Sequence, residues 1–287
     1  SVGGLVGLGV HVATGSGQFG SAITLLAGGA CYLLAGVVAR TMQRDLLGPD
    51  LAERVAGRVL AEIADVAAGL VAGARYVLRR RGAAAALGAT GANRLLYGAL
   101  FLMSILLYRN YFYRSAGANV ALSHFTVLVL VSAVGYGCAA LITPALVRRL
   151  GKPTWMALLL ASAGVVMAAL GETFSQPAYL VIGFWLNLAG QGVAICSTTI
   201  LQEQVGDDYR GRVFSFYDMT FNVTFVAGAA LAAAFMPSTG RAPVIIALIA
   251  AGYLVAAVAY WLAGRESSGG GPAAPDIPSR SAQPSSS

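Results

Sequence analysis

Few side chains in this sequence are equipped for chemistry, and most of them sit inside long apolar runs. Asp218 lies five residues into a run that opens at Val213, and His11 lies in another near the start. A carboxyl or an imidazole placed there can take up and release a proton. It can equally be held by a neighbour: a basic group for Asp218, a polar one on an adjacent helix for His11. On insertion scales a charged group at the centre of a membrane helix costs about 2.5–3.5 kcal/mol, so each needs a partner or a purpose. Asn187 and Gln191 stand four residues apart and therefore share a helix face. With Trp185 beside them and Asn222 on the following run, they make a candidate path for a polar solute. The competing reading is that each amide bonds helix to helix. No Gly-rich phosphate loop, zinc-type His/Cys spacing or nucleophile motif is present, so the sequence reads as non-enzymatic, without metal or cofactor. Cys31, Cys138 and Cys196 lie singly in apolar runs, as packing residues do.

The elements that must position these residues follow from composition. Charged residues make up 11% of the 287, hydrophobic ones 57%, and the mean hydropathy is +0.71. A soluble domain carries about a quarter charged residues, so lipid is the solvent for most of this chain. Eight runs approach or reach the length of a spanning helix. They are Val2–Gly15, Ser21–Arg40, Arg94–Tyr113, Ser123–Val147, Thr154–Leu170, Pro177–Leu201, Val213–Met236 and Pro243–Ala263. None alternates as a barrel strand would, and a lipid-exposed span must satisfy its own backbone, so the expected fold is an all-α membrane bundle. The first run is short and looks cut off by the start of the chain. Residues 41–93 form a polar insert in which Leu51, Val55, Val59, Ile63, Val66 and Leu70 recur at helical spacing among Arg54, Arg58, Glu62 and Asp65. That pattern predicts an amphipathic helix lying on an anionic membrane surface or packed on the bundle as a linker. The expected organisation is two helices over 1–40, the linker over 41–93, a six-helix bundle over 94–265, and a Ser/Gly/Pro tail over 266–287 with too little apolar mass to order.

The net charge is +7, but the arginines alternate with apolar runs and do not build the basic face of a nucleic-acid binder. If residues 41–93 are cytoplasmic, all the basic residues fall inside except Arg109, Arg114 and Arg241; the opposite orientation inverts that bias. The linker and the C-terminus are therefore expected on the cytoplasmic side of the cell membrane. Arg94 is counted among the inner charges. Arg109 and Arg114 flank Tyr108, Tyr111, Phe112 and Tyr113 as an interfacial belt at the other side, with His124 nearby.

A long insert followed by six spans resembles the second half of a major facilitator superfamily carrier. Pro144-Ala-Leu-Val-Arg-Arg-Leu-Gly-Lys152 is similar to the basic loop between helices eight and nine of that superfamily. Asp207-Asp-Tyr-Arg-Gly-Arg-Val213 is similar to the loop between helices ten and eleven in its drug-efflux branch of macrolide and enterobactin exporters. The resemblance covers about residues 1–265. It implies helices five to twelve of twelve, with the first four missing, and secondary active, proton-coupled efflux of a small amphipathic compound of the drug or siderophore class from a bacterial inner membrane. Lipid, substrate and protons would be the partners. Arg148, Arg149, Gly151, Arg210, Gly211 and Arg212 would then serve as cytoplasmic gating loops, the arginines making and breaking contacts and the glycines allowing close backbone approach. The same arginines would serve equally as plain topology anchors. Because the site of such carriers lies between two halves, residues 1–287 are expected not to transport alone. Two other classes remain. A permease or scaffold subunit working with a separate ATPase could use the Leu51–Leu70 helix for coupling. An intramembrane enzyme would have only Asp218 and His11.

Overall fold

A computed structural model describes residues 71–268, together with 26, 28–30, 33–38 and 69. The chain divides into two compact units, Ser1–Gly69 and Leu70–Ser287. In the first, 33–38 are helical. His11, Cys31, the Leu51–Leu70 amphipathic pattern up to residue 68 and the tail beyond 268 lie outside the described residues.

In the second unit a helical stretch, 71–78, leads through a turn at 79–80 into six long helices. They are α1 (Arg81–Leu107), α2 (Ala118–Leu150), α3 (Lys152–Leu170), α4 (Gln176–Gln204), α5 (Asp207–Phe235) and α6 (Pro243–Ser268). No strand occurs among the described residues. All six are long and apolar enough to cross a membrane. A π-helical turn, Tyr108–Phe112, extends α1, and a 3-10 turn, Gly171–Thr173, ends α3.

Most helix boundaries fall within a few residues of those the apolar runs predict. Two do not. α1 starts at Arg81 and not at Arg94, because the Ala/Gly-rich stretch before Arg94 is helix that packs on its neighbours. A Cβ on Gly91 would touch the methyls of Thr220 and Thr224, and one on Gly82 would strike the Gln204 side chain. α5 starts at Asp207, so Arg210, Gly211 and Arg212 lie in its opening turns and not in a loop.

Lipid tails are as apolar as leucine, so helices in a membrane associate through close packing rather than through water exclusion. The glycines show where this happens. A Cβ on Gly98 or Gly228 would collide with the backbone carbonyl of Phe225 or Leu95 respectively, which puts α1 and α5 in backbone contact at two levels. Gly135 meets the Phe184 carbonyl in the same way between α2 and α4. The main core buries Met103, Met156, Leu160, Met167, Ile182 and Tyr253 completely or nearly so. A smaller cluster of Val77, Leu87, Leu201, Val205, Val213 and Tyr217 closes the arginine-rich end.

Each end of the bundle is also pinned by polar contacts. At the arginine-rich end Arg80 donates to the Gln204 carbonyl, Lys152 pairs with Glu203, and Tyr76 stacks on Tyr209 with centroids 4.6 Å apart. At the aromatic end Asn110 donates to the Ser238 carbonyl, and the Arg241 guanidinium lies 5.1 Å from the Phe174 ring. There, too, His124 stacks on Tyr113 at 4.3 Å, and its Nδ1 lies 3.3 Å from Gln176 Nε2.

Candidate functional site

The polar residues that α1 carries midway along its length converge with those of α4. Asn93 is buried, and Tyr253 from α6 donates to it at 3.4 Å. Gly190 makes room for Asn93, since a Cβ there would lie 3.2 Å from its amide nitrogen. On α4, Asn187 donates to the Gly183 carbonyl at 2.9 Å and accepts from the Tyr97 hydroxyl at 3.3 Å. Gln191 lies one turn further along. Asn93, Arg94 and Tyr97 of α1, Tyr136 of α2, and Leu186, Asn187, Gly190 and Gln191 of α4 line a half-open cavity of about 30 Å³, large enough for a water or a small headgroup. The shared face of Asn187 and Gln191 inferred from spacing is thus the α4 wall of this cavity.

Arg94 is what the sequence reading missed. As the first residue of the Arg94–Tyr113 run it counts among the inner charges. In the structure it lies well inside α1. Its guanidinium carbon sits 3.3 Å from the centroid of the Phe221 ring, and its Nε is buried without a hydrogen-bond partner. Among the described residues it meets no carboxylate; the Lys152–Glu203 salt bridge lies elsewhere, at the arginine-rich end. The available signal was the small-residue spacing before it, which extends the span toward the N-terminus and moves Arg94 to its interior.

The other candidates stand elsewhere. Trp185 donates to Ser162 of α3 at 3.0 Å and faces away from the cavity. Asn222 is exposed on α5, and its amide donates to its own helix at the Asp218 carbonyl, 2.8 Å away. Asp218 is also exposed, and its carboxylate makes no ion pair among the described residues, so the basic partner expected for it is not found there. Thr90 and Ser197, both buried, form a hydroxyl pair between α1 and α4: Thr90 donates to Ser197 at 2.9 Å and Ser197 to the Ala86 carbonyl at 3.0 Å. Among the described residues no His/Cys/Asp/Glu group could hold a metal.

The expected gating residues differ in setting. Arg148 and Arg149 are exposed in the last turn of α2, and Gly151, at φ 79°, turns the chain into α3. The Arg212 guanidinium lies 5.7 Å from the Tyr209 ring. Neither Gly151 nor Gly211 is a site of close backbone approach: a Cβ on Gly151 would find only Pro153 at 3.9 Å, and one on Gly211 would meet nothing within 4 Å. That role falls to Gly98, Gly135 and Gly228.

Six apolar spans, three of which line the cavity, define a polytopic α-helical membrane protein. The chain is 34% identical, over 223 residues, to uncharacterized MFS-type transporters of Mycobacterium bovis and of Mycobacterium tuberculosis. The match takes in 77% of this chain and 48% of each relative, so the chain spans about half the length of the curated relatives it matches. It belongs to the major facilitator superfamily. No family model and no solved structure matches it.

Proposed function

We propose that this chain is part of a secondary active carrier that exports small amphipathic compounds in exchange for protons. The observation that carries the reading is the intramembrane cavity between α1, α2 and α4. A half-open pocket lined by amide, phenol and guanidinium side chains on one six-span half would be that half's share of a solute site that such carriers build between two halves. Asp218 is the proton-coupling candidate, because its carboxyl is exposed on a spanning helix with no salt bridge among the described residues. His11 stays a second candidate on sequence grounds. Arg148, Arg149, Arg210 and Arg212, with Gly151 and Gly211, stay candidates for the gate at the arginine-rich end. That end is read as cytoplasmic.

The test uses everted membrane vesicles bearing a complete carrier that contains this chain. Acid-loaded vesicles should accumulate an amphipathic fluorescent dye above its external level. A protonophore should abolish the gradient, and Asp218→Asn should leave only downhill movement. Dye movement indifferent to the protonophore would overturn antiport. Full uphill accumulation by Asp218→Asn would remove Asp218 from the mechanism.

A further inference from the structure

We infer that the Arg94 cavity binds the carboxylate of a small aromatic or amphipathic acid, so that the solute handled at this site is an anion. The inference rests on reading the cavity as a solute site, and it adds the charge and the headgroup.

The argument starts from charge. A guanidinium stays protonated in any protein setting, so Arg94 carries a fixed positive charge within a spanning helix. Among the described residues no acidic side chain lines the cavity, and its polar walls besides Arg94 are the neutral Asn93, Tyr97, Tyr136, Asn187 and Gln191. The described walls therefore carry one positive charge, and a cationic solute would meet repulsion where a carboxylate meets attraction.

Hydrogen bonding points the same way. Phe221 covers one face of the guanidinium, a contact that stabilises the charge while offering no acceptor. The Arg94 Nε–H is buried and finds no acceptor among the described residues. Asn187 accepts from Tyr97 and donates one of its two amide N–H groups to Gly183. What the cavity lacks is an acceptor with negative charge and two oxygens, and that is the geometry a guanidinium fork recognises. Size and surroundings suit a headgroup joined to a ring. About 30 Å³ holds the carboxylate and not a whole ligand, and the neighbouring rings are Tyr97, Tyr136 and Phe221.

The probe is benzoate, compared with its neutral isostere benzamide and with benzylamine. Binding to the full chain in phosphatidylcholine nanodiscs is read by saturation-transfer NMR, which detects millimolar affinities. Benzoate should bind at least tenfold more tightly than either analogue. Arg94→Gln should lose benzoate binding by at least tenfold, whereas Arg94→Lys keeps the charge and should retain part of it. Equal affinity for benzoate and benzamide, preference for benzylamine, or no benzoate binding would each overturn the proposal, and these comparisons need no variant. An Arg94→Gln protein that still melts cooperatively and binds benzoate as wild type would overturn it too. Nanodiscs of phosphatidylglycerol supply a competing lipid headgroup. Unchanged benzoate affinity supports a solute site, and complete competition assigns the anion to lipid and overturns it. Failure of uphill export with benzoate binding intact would sink the carrier reading alone. Loss of binding selectivity with export intact would sink this one alone.

Discussion

At the scale of single residues, the polar side chains of the spans divide into those that hold helices together and those that remain available. Trp185 belongs to the first group. Its indole reaches Ser162, so Trp185→Phe should lower stability by about 0.5–1.5 kcal/mol, the ordinary net value of one hydrogen bond. It should leave benzoate affinity unchanged, because the ring is not part of the cavity. Unfolding in bicelles measures the first and NMR titration the second; a loss of affinity with unchanged stability would return Trp185 to the solute path. Ser197 is a stronger lock, since it bridges Thr90 and the Ala86 carbonyl in a fully buried setting. Ser197→Ala should cost between about 0.6 and about 1.7 kcal/mol, the mean and the maximum for interhelical hydrogen bonds in a membrane, because it removes both contacts. A neutral effect would mean that Thr90 simply turns to the Ala86 carbonyl, 3.0 Å away. By contrast, Lys152–Glu203 is solvent-facing, with side chains 25% and 57% exposed. Glu203→Gln should therefore cost no more than about 1 kcal/mol, and less in high salt.

At the scale of helices, the governing contact is the backbone approach of α1 to α5. Gly228→Ala places a methyl against the Leu95 carbonyl, which has no rotamer with which to yield, so the helices must separate. Overpacking of this kind costs about 1–3 kcal/mol. The same substitution at Gly211, where a Cβ meets nothing within 4 Å, should be neutral or slightly stabilising through helix propensity. Thermal unfolding of the two variants side by side checks the pair, and equal shifts would refute the close approach. This contrast also shows how far the sequence could be read. Long apolar runs mark spans because the bilayer fixes their length, and α2 to α6 were legible for that reason. The start of α1 was not. Gly82 to Gly91 carries alanine and glycine where a span usually carries leucine, and three arginines precede it, so it resembles linker until its packing on Gln204 and Thr220 is seen. Moving that boundary carries Arg94 from the membrane surface to the cavity. The Asn187/Gln191 face was legible from spacing alone. That Trp185 and Asn222 point elsewhere was not, because run composition does not say which face of a helix meets which neighbour.

At the scale of the whole second unit, burial is unevenly shared, and that asymmetry has a testable consequence. Half of the most apolar stretch of α1 and of α4 is buried within the chain, against 17% for α2 and 11% for α5. An uncovered helix can face lipid if it is apolar enough, as α6 is, with a hydropathy of 2.3 and Val255 66% exposed. α5 has a hydropathy of 1.4, and Ser215, Asp218 and Asn222 are exposed at intervals of three and four residues along one stripe. A carboxylate and an amide in hydrocarbon would cost several kcal/mol together, so this stripe requires water or polar protein beside it. A thiol reacts with a hydrophilic maleimide only as the hydrated thiolate, which makes the two environments distinguishable. With Cys31, Cys138 and Cys196 first replaced by alanine, Asn222→Cys should label readily in membranes and Val255→Cys should not, although both positions are exposed in the chain. Equal labelling would mean that α6 is not lipid-facing. Labelling of Val255→Cys alone would place the polar stripe of α5 out of reach of water, and Asp218 could then exchange protons with neither side of the membrane.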